Sequence, residues 1–262
     1  AVVTASGTGA EMNNGAVITN EQTKQKAGVL GAYSGFAILD PAYTMTVPKQ
    51  QVISGAFDTL SHCMETYFGS PRQTILSDEI AEAVMRNVIR NIRVLLKNIE
   101  DMNARSELMW ASAMAENGIL KIGKVTDFQA HQIEHQLGAY TDCNHGQGLA
   151  VIHPVLYRHM YQDGADQFAR FAKNVWGISE EGKTKEELAE AGVQALADFI
   201  KEIELPSTFT EMGITDKRLL LSLCLHSCKL CRHKPLRIIS TDTESLLQML
   251  CKFLRILSSD QS

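Results

Sequence analysis

Five residues in two short stretches carry the side chains best suited to chemistry. They are Asp58 and His62 in GAFDTLSHCME, and His131, His135 and His145 in DFQAHQIEHQLGAYTDCNHGQGLA. A neutral imidazole has a lone pair to give a metal, and a carboxylate removes one unit of the ion's positive charge. Asp58 with His62, His131 and His145 gives one carboxylate and three imidazoles, a set that suits Zn²⁺ or Fe²⁺ and suits Ca²⁺ poorly because calcium takes oxygen ligands. Asp58 and His62 are four apart, as are His131 and His135, so on a helix each pair projects from one face. His145 follows a glycine-containing turn. The same spacings also arise as helix-surface contacts or as ordinary helical histidines. Nothing in the spacing alone makes the two stretches meet.

The elements that must position these residues change character at Pro48. Residues 1–47 read as short strands and turns: 16–19 is strand-like, 20–23 turns it, and 36–39 is a short apolar strand ending at Asp40 and Pro41. Helices follow. The first spans about 50–68, with Val52, Ala56, Leu60 and Met64 among its apolar positions. Ser77, Asp78 and Glu79 open a long amphipathic helix to about Ile99, its acids in the first turn where the helix dipole favours them. Another runs from about Asn103 to Asn117, with Gly118 fitting the cap just past its end. A helix over 168–176 stops at Gly177. Thr184 and Glu187 form a capping box for a helix that Pro206 follows. No internal repeat or low-complexity tract interrupts this order.

Composition narrows the class further. The chain has 262 residues, 45% of them hydrophobic, enough for one or two cores. Its net charge of −5 gives no bulk pull toward nucleic acid or an anionic membrane surface. No apolar run approaches the roughly 18 residues of a membrane span, and no signal peptide opens the chain. Six cysteines in this length do not make a disulfide scaffold, which points to a reducing, cytoplasmic setting. Cys63 and Cys143 lie beside the histidine stretches. An opening Ala1, rather than a methionine, reads as a fragment or a processed product.

Longer strings give these residues a context. ILDPAYTMTVPKQQVISGAFDTLSHCMETYF and GILKIGKVTDFQAHQIEHQLGAYTDCNHGQGLAVIHP resemble segments of the iron-containing (group III) alcohol dehydrogenases, the second most closely in their butanol dehydrogenase branch. TASGTGAEMNNGAVITN is similar to that family's Thr/Gly-rich nucleotide-contacting strand and hairpin. The likeness runs in order from about residue 4 to about residue 216. It implies an α/β remnant plus an all-α domain: the end of a Rossmann-like nucleotide-binding domain (1–47), then a helical metal-binding catalytic domain (48–216), then an atypical helical tail (217–262). That is the dehydroquinate synthase-like, iron alcohol dehydrogenase fold in incomplete form. The resemblance also implies metal ligands at Asp58, His62, His131 and His145, and a further histidine near the reacting centre at His135. Thr4, Thr8, Val17 and Lys26 match positions that line the dinucleotide cleft. A homodimer rests on the resemblance alone.

Two departures qualify the picture. No GGGS or GxGxxG turn for a pyrophosphate occurs, as though a piece of about 100–150 residues were absent. The family's register also fades after residues 213–216. The expected activity is metal-dependent, NAD(P)-linked hydride transfer between nicotinamide and a primary alcohol or aldehyde. The cofactors are then Fe²⁺ or Zn²⁺ with NADP or NAD, the butanol-dehydrogenase-like words leaning toward NADP. The alternative is an inactive metal-binding fragment lacking the pyrophosphate-binding half. A metal hydrolase fits less well, because Glu134 is misplaced for an HExxH base. Gly7, Thr8 and Gly9 read either as a close approach to cofactor or as a tight turn. Trp110, Phe128 and Leu149 read as core in preference to pocket lining.

The tail differs in composition. Residues 217–262 hold eight Lys/Arg against three Asp/Glu, and four of the six cysteines. Cys224, His226, Cys228, Cys231 and His233 are too closely spaced for a standard zinc knuckle. Thr241 and Glu244 form a capping-box pattern, so a sequence shift and a genuine terminal helix both stay open.

Overall fold

Pro48 ends the extended opening, and the chain enters α1 (Lys49–Tyr67) in the computed structural model, which describes residues 1–70, 75–126 and 128–215. Two units pack separately. The first comprises Ala1–Ile18 and Gly28–Thr126; the second comprises Thr19–Ala27 and the described residues from 128 onward.

In the first unit α1 packs on α2 (Leu76–Lys97) and α3 (Met102–Glu116). Every residue of α1 from Ile53 to Tyr67 is buried except Gly55. Phe57, Leu60 and Met64 meet a core to which α2 gives Met85 and Ile92, and α3 gives Leu108. Each such side chain contributes about 1.5–3 kcal/mol by leaving water. The helix ends follow local chemistry. Asp78 and Glu79 fall in the first turn of α2, the Asp101 carboxylate caps α3 by accepting from the Ala104 N–H, and Gly118 takes φ +91° just past α3. Buried polar groups are matched across elements. Tyr67 donates to Glu82 at 2.8 Å, Lys124 pairs with Asp78, and the Arg105 guanidinium donates to the Ile99 and Thr44 carbonyls.

In the second unit α4 (Gln129–Thr141) packs on α5 (His145–Met160), while α7 (Lys185–Glu202) packs on both α5 and α6 (Ala165–Asn174). Leu149, Phe168, Phe171, Leu196 and Phe199 fill its core. The capping box at Thr184 and Glu187 forms with both of its hydrogen bonds. Past α6, Gly177 adopts φ +70° and donates to the Lys173 carbonyl at 3.1 Å, closing that end.

Strands β1 (Gly15–Asn20) and β2 (Gln25–Leu30) make a hairpin, the one sheet among the described residues. Its turn is set by Asn20, whose side-chain oxygen accepts from the N–H groups of Gln22 and Thr23.

Two expectations need correction. The strand expected over 36–39 is, among the described residues, a single parallel bridge between Ile38 and Val2, because the backbone bonds on either side of it reach only Ala1 and Val3. Trp110 is not core: it stands 56% exposed on α3, whereas Leu149 is fully buried and Phe128 half-buried. The cysteine- and histidine-rich tail and the capping-box pattern at Thr241 and Glu244 lie outside the described residues.

Candidate metal centre

On α1 the two donor side chains are both buried, Asp58 at 4% exposure and His62 at 8%. Burying a carboxylate and an imidazole on one face must be offset by charge or hydrogen bonding. His62 Nε2 lies 3.7 Å from Asp58 Oδ1. That is long for a hydrogen bond, yet two bonds of about 2.0–2.1 Å to one shared ion would span it.

The loop carrying Thr8 is held down one turn before Asp58. The Gly7 and Gly9 N–H groups both donate to Ser112 Oγ at 3.0 Å, and Thr59 Oγ1 donates to the Gly7 carbonyl at 3.3 Å. Gly55 permits this approach, since a Cβ there would stand 2.4 Å from the Ser6 carbonyl oxygen. Gly9 adopts φ +55° directly against α3. The close approach that Gly7 and Gly9 allow is therefore toward α1 and α3. Thr4 and Thr8 keep exposed positions on this loop, and Val17 on β1 is half exposed.

The second set of donors is built on α4 and α5. His131, Glu134, His135 and Gly138 fall at i, i+3, i+4 and i+7, so they share one face of α4. Ala130, Ile133 and Leu137 turn toward the core. Asn144 caps α5 by accepting from the Gln147 N–H at 3.1 Å, which sets His145 in the first turn. The rings of His131 and His145 are 5.2 Å apart between centroids, those of His135 and His145 5.7 Å, and those of His131 and His135 6.2 Å. Phe128 packs its ring edge-on against His131 at 5.3 Å.

Glu134 sits at the middle of this cluster and was not marked by any motif. Its side chain is fully buried. One carboxylate oxygen meets both His145 Nδ1 and, at 3.2 Å, Lys26 Nζ from β2. Lys26 is thus turned toward α4, and the Gln136 side-chain amide also donates to its carbonyl at 3.4 Å. Burial pushes His135 down to about 4; Glu134 pulls the other way, and His131, Lys26 and His145 add to the fall. His135 is accordingly a neutral imidazole at physiological pH.

The donor chemistry of both half-sites suits a divalent transition ion. An aspartate and a histidine project together from α1, and three neutral-capable imidazoles cluster on α4 and α5. The signal that could have found Glu134 is weak: an acid inside a histidine-rich helix, followed by a glycine one turn later.

Comparison with known proteins places the chain. Residues 52–235 match the Fe-containing alcohol dehydrogenase family, C-terminal. The NADH-dependent butanol dehydrogenases A and B of Clostridium acetobutylicum are 37% and 38% identical over 221 and 224 residues, in each case 83% of this chain and 57% of the relative. The NADPH-dependent aldehyde reductase of Escherichia coli is 31% identical over 215 residues, 81% of this chain and 55% of that protein. The crystal structure of NADH-dependent butanol dehydrogenase A from Thermotoga maritima superposes with a TM-score of 0.86 at 34% identity, covering 97% of this chain and 65% of that one. The chain therefore shares that fold, and it spans little more than half the length of the curated relatives it matches.

Proposed function

Because the chain belongs to the Fe-containing alcohol dehydrogenase family, we propose that Asp58, His62, His131 and His145 together hold one divalent ion, iron or zinc. The reaction served is hydride exchange between a nicotinamide cofactor and a primary alcohol or aldehyde. The observation that carries this reading is the pair of buried donors on α1, 3.7 Å apart, in a family member that also clusters three imidazoles on α4 and α5. When bound, the ion supplies a Lewis acid for the substrate oxygen.

The chain's own residues do the rest. The Asp58 carboxylate offsets positive charge, and the three ligand histidines give neutral lone pairs. His135 is assigned the proton relay between the substrate oxygen and water, in which it must take up one proton as it releases another, because burial disfavours its imidazolium. Thr4, Thr8, Val17 and Lys26 belong to the dinucleotide cleft in this reading. The exposed hydroxyls of Thr4 and Thr8 are free to meet ribose or phosphate oxygens. The butanol dehydrogenases among the relatives are named NADH-dependent and the aldehyde reductase NADPH-dependent. Those names support the nicotinamide class and point both ways between NAD and NADP.

Metal analysis of the purified chain beside Asp58→Ala and His145→Ala tests the site. Each substitution is expected to remove most of the bound iron or zinc, and full retention in both refutes the site as drawn. Fluorescence titration of the metal-loaded chain with NADH and NADPH tests the activity. Saturable binding supports the dehydrogenase, whereas an inert metal-binding chain gives none.

A further inference from the structure

Glu134 has no part in the reading above, yet the second unit is shaped around it. A fully buried carboxylate needs a countercharge, donors and room. Lys26 brings the countercharge at 3.2 Å, from a residue 108 positions away in the chain. His145 brings a donor, its Nδ1 facing the same carboxylate oxygen.

Two glycines bring the room. A Cβ on Gly148 of α5 would lie 2.9 Å from Glu134 Cγ. A Cβ on Gly138 would lie 2.9 Å from Lys26 Nζ and 3.2 Å from Glu134 Oε1. Any side chain at either position therefore invades the seat. Three separate segments, β2, α4 and α5, thus meet on one carboxylate.

The chemistry of that contact is directional. An imidazole that donates Nδ1–H to a carboxylate has its lone pair on Nε2, and the carboxylate raises its basicity. Histidine ligands of metals are commonly oriented this way. We infer that Glu134 is a positioning residue for His145: it accepts the Nδ1–H bond, fixes the tautomer that presents the Nε2 lone pair, and has its own charge cancelled by Lys26. This rests on the reading of His145 as a metal ligand.

The test has a metal-free arm and a metal-binding arm. Histidine ring nitrogens of the whole chain, ¹⁵N-labelled and stripped of metal, are assigned by NMR at pH 8. His145 is expected to carry its proton on Nδ1, and in Glu134→Ala to shift toward the Nε2–H tautomer. An Nδ1 without a proton in the unsubstituted chain overturns the inference whatever the metal does.

In the second arm the stripped chain is titrated with Zn²⁺ and, separately, with Co²⁺, whose visible spectrum reports ligand geometry. Glu134→Ala is expected to weaken Zn²⁺ binding by about 10–100-fold and to change the Co²⁺ spectrum. Glu134→Gln keeps an oxygen acceptor and should recover part of the loss, and it also serves if Glu134→Ala does not fold. Wild-type affinity and spectrum in the folded Glu134 variants overturn the inference while leaving the metal site standing, provided His145→Ala has lost binding. If His145→Ala binds as the unsubstituted chain does, the metal reading itself falls.

Discussion

Replacing Gly55 with alanine should destabilise the first unit, although helix propensity alone says the opposite. In a free helix the change gains about 1 kcal/mol. Here the added methyl would stand 2.4 Å from the Ser6 carbonyl oxygen, where 3.4 Å is ordinary contact, so the loop must retreat by about 1 Å. That retreat stretches the two 3.0 Å bonds from Gly7 and Gly9 to Ser112 beyond hydrogen-bond range. Two buried bonds at about 1 kcal/mol each, with overpacking of about 1–3 kcal/mol, outweigh the propensity gain. The net loss is then about 2–4 kcal/mol, read as a lowered urea midpoint at unchanged slope. Ser112→Ala removes the same acceptor and should be less than additive with Gly55→Ala. A rise in stability of about 1 kcal/mol in Gly55→Ala would mean that the loop does not rest on α1.

Two further outcomes can be checked directly. Asp78→Ala takes the carboxylate away from the fully buried Lys124 ammonium, and should cost about 3–5 kcal/mol in denaturant unfolding, with much of it recovered in Asp78→Ala/Lys124→Met; a loss well under 1 kcal/mol would deny the pair its role. Burial, aided by Glu116, pushes the Cys63 thiol far up, while the less buried Cys143 is raised from 9.0 by burial and by Glu134 against a hydrogen bond from Thr141. Alkylation of the native chain at pH 8, followed by peptide mass spectrometry, should therefore label Cys143 before Cys63, and both more slowly than after unfolding. Equal labelling rates would contradict the burial of α1.

What the sequence made legible was what local chemistry decides. The helices of the first unit follow from periodicity, and their ends from Asp78, Glu79 and Gly118. Gly177 stops α6 and the Thr184 box starts α7, because each works through backbone groups within a few residues. The i,i+4 donor pairs were legible for the same reason. What stayed hidden depends on distant partners. Glu134 is defined by Lys26 and by His145 eleven residues on, neither predictable from spacing. Helix α5 continues through Pro154, a residue type that ordinarily ends a helix, so 145–160 gave no clear helical signal. Residues 36–39 have the composition of a strand, but a ladder also needs a neighbour, and among the described residues the pairing is one bridge to Val2.

Helix α4 lies between two left-handed residues that are not glycine, Phe128 at φ +51° and Asp142 at φ +53°. Each is held against a backbone preference worth about 1–2 kcal/mol. Neither end can be wound on by a further turn, so the helix has no slack with which to absorb an added or missing residue. A single deletion within it would swing everything downstream by about 100° and point one histidine of the cluster away from the others. The tolerance of this segment to length change is therefore close to zero, even where its individual side chains are replaceable.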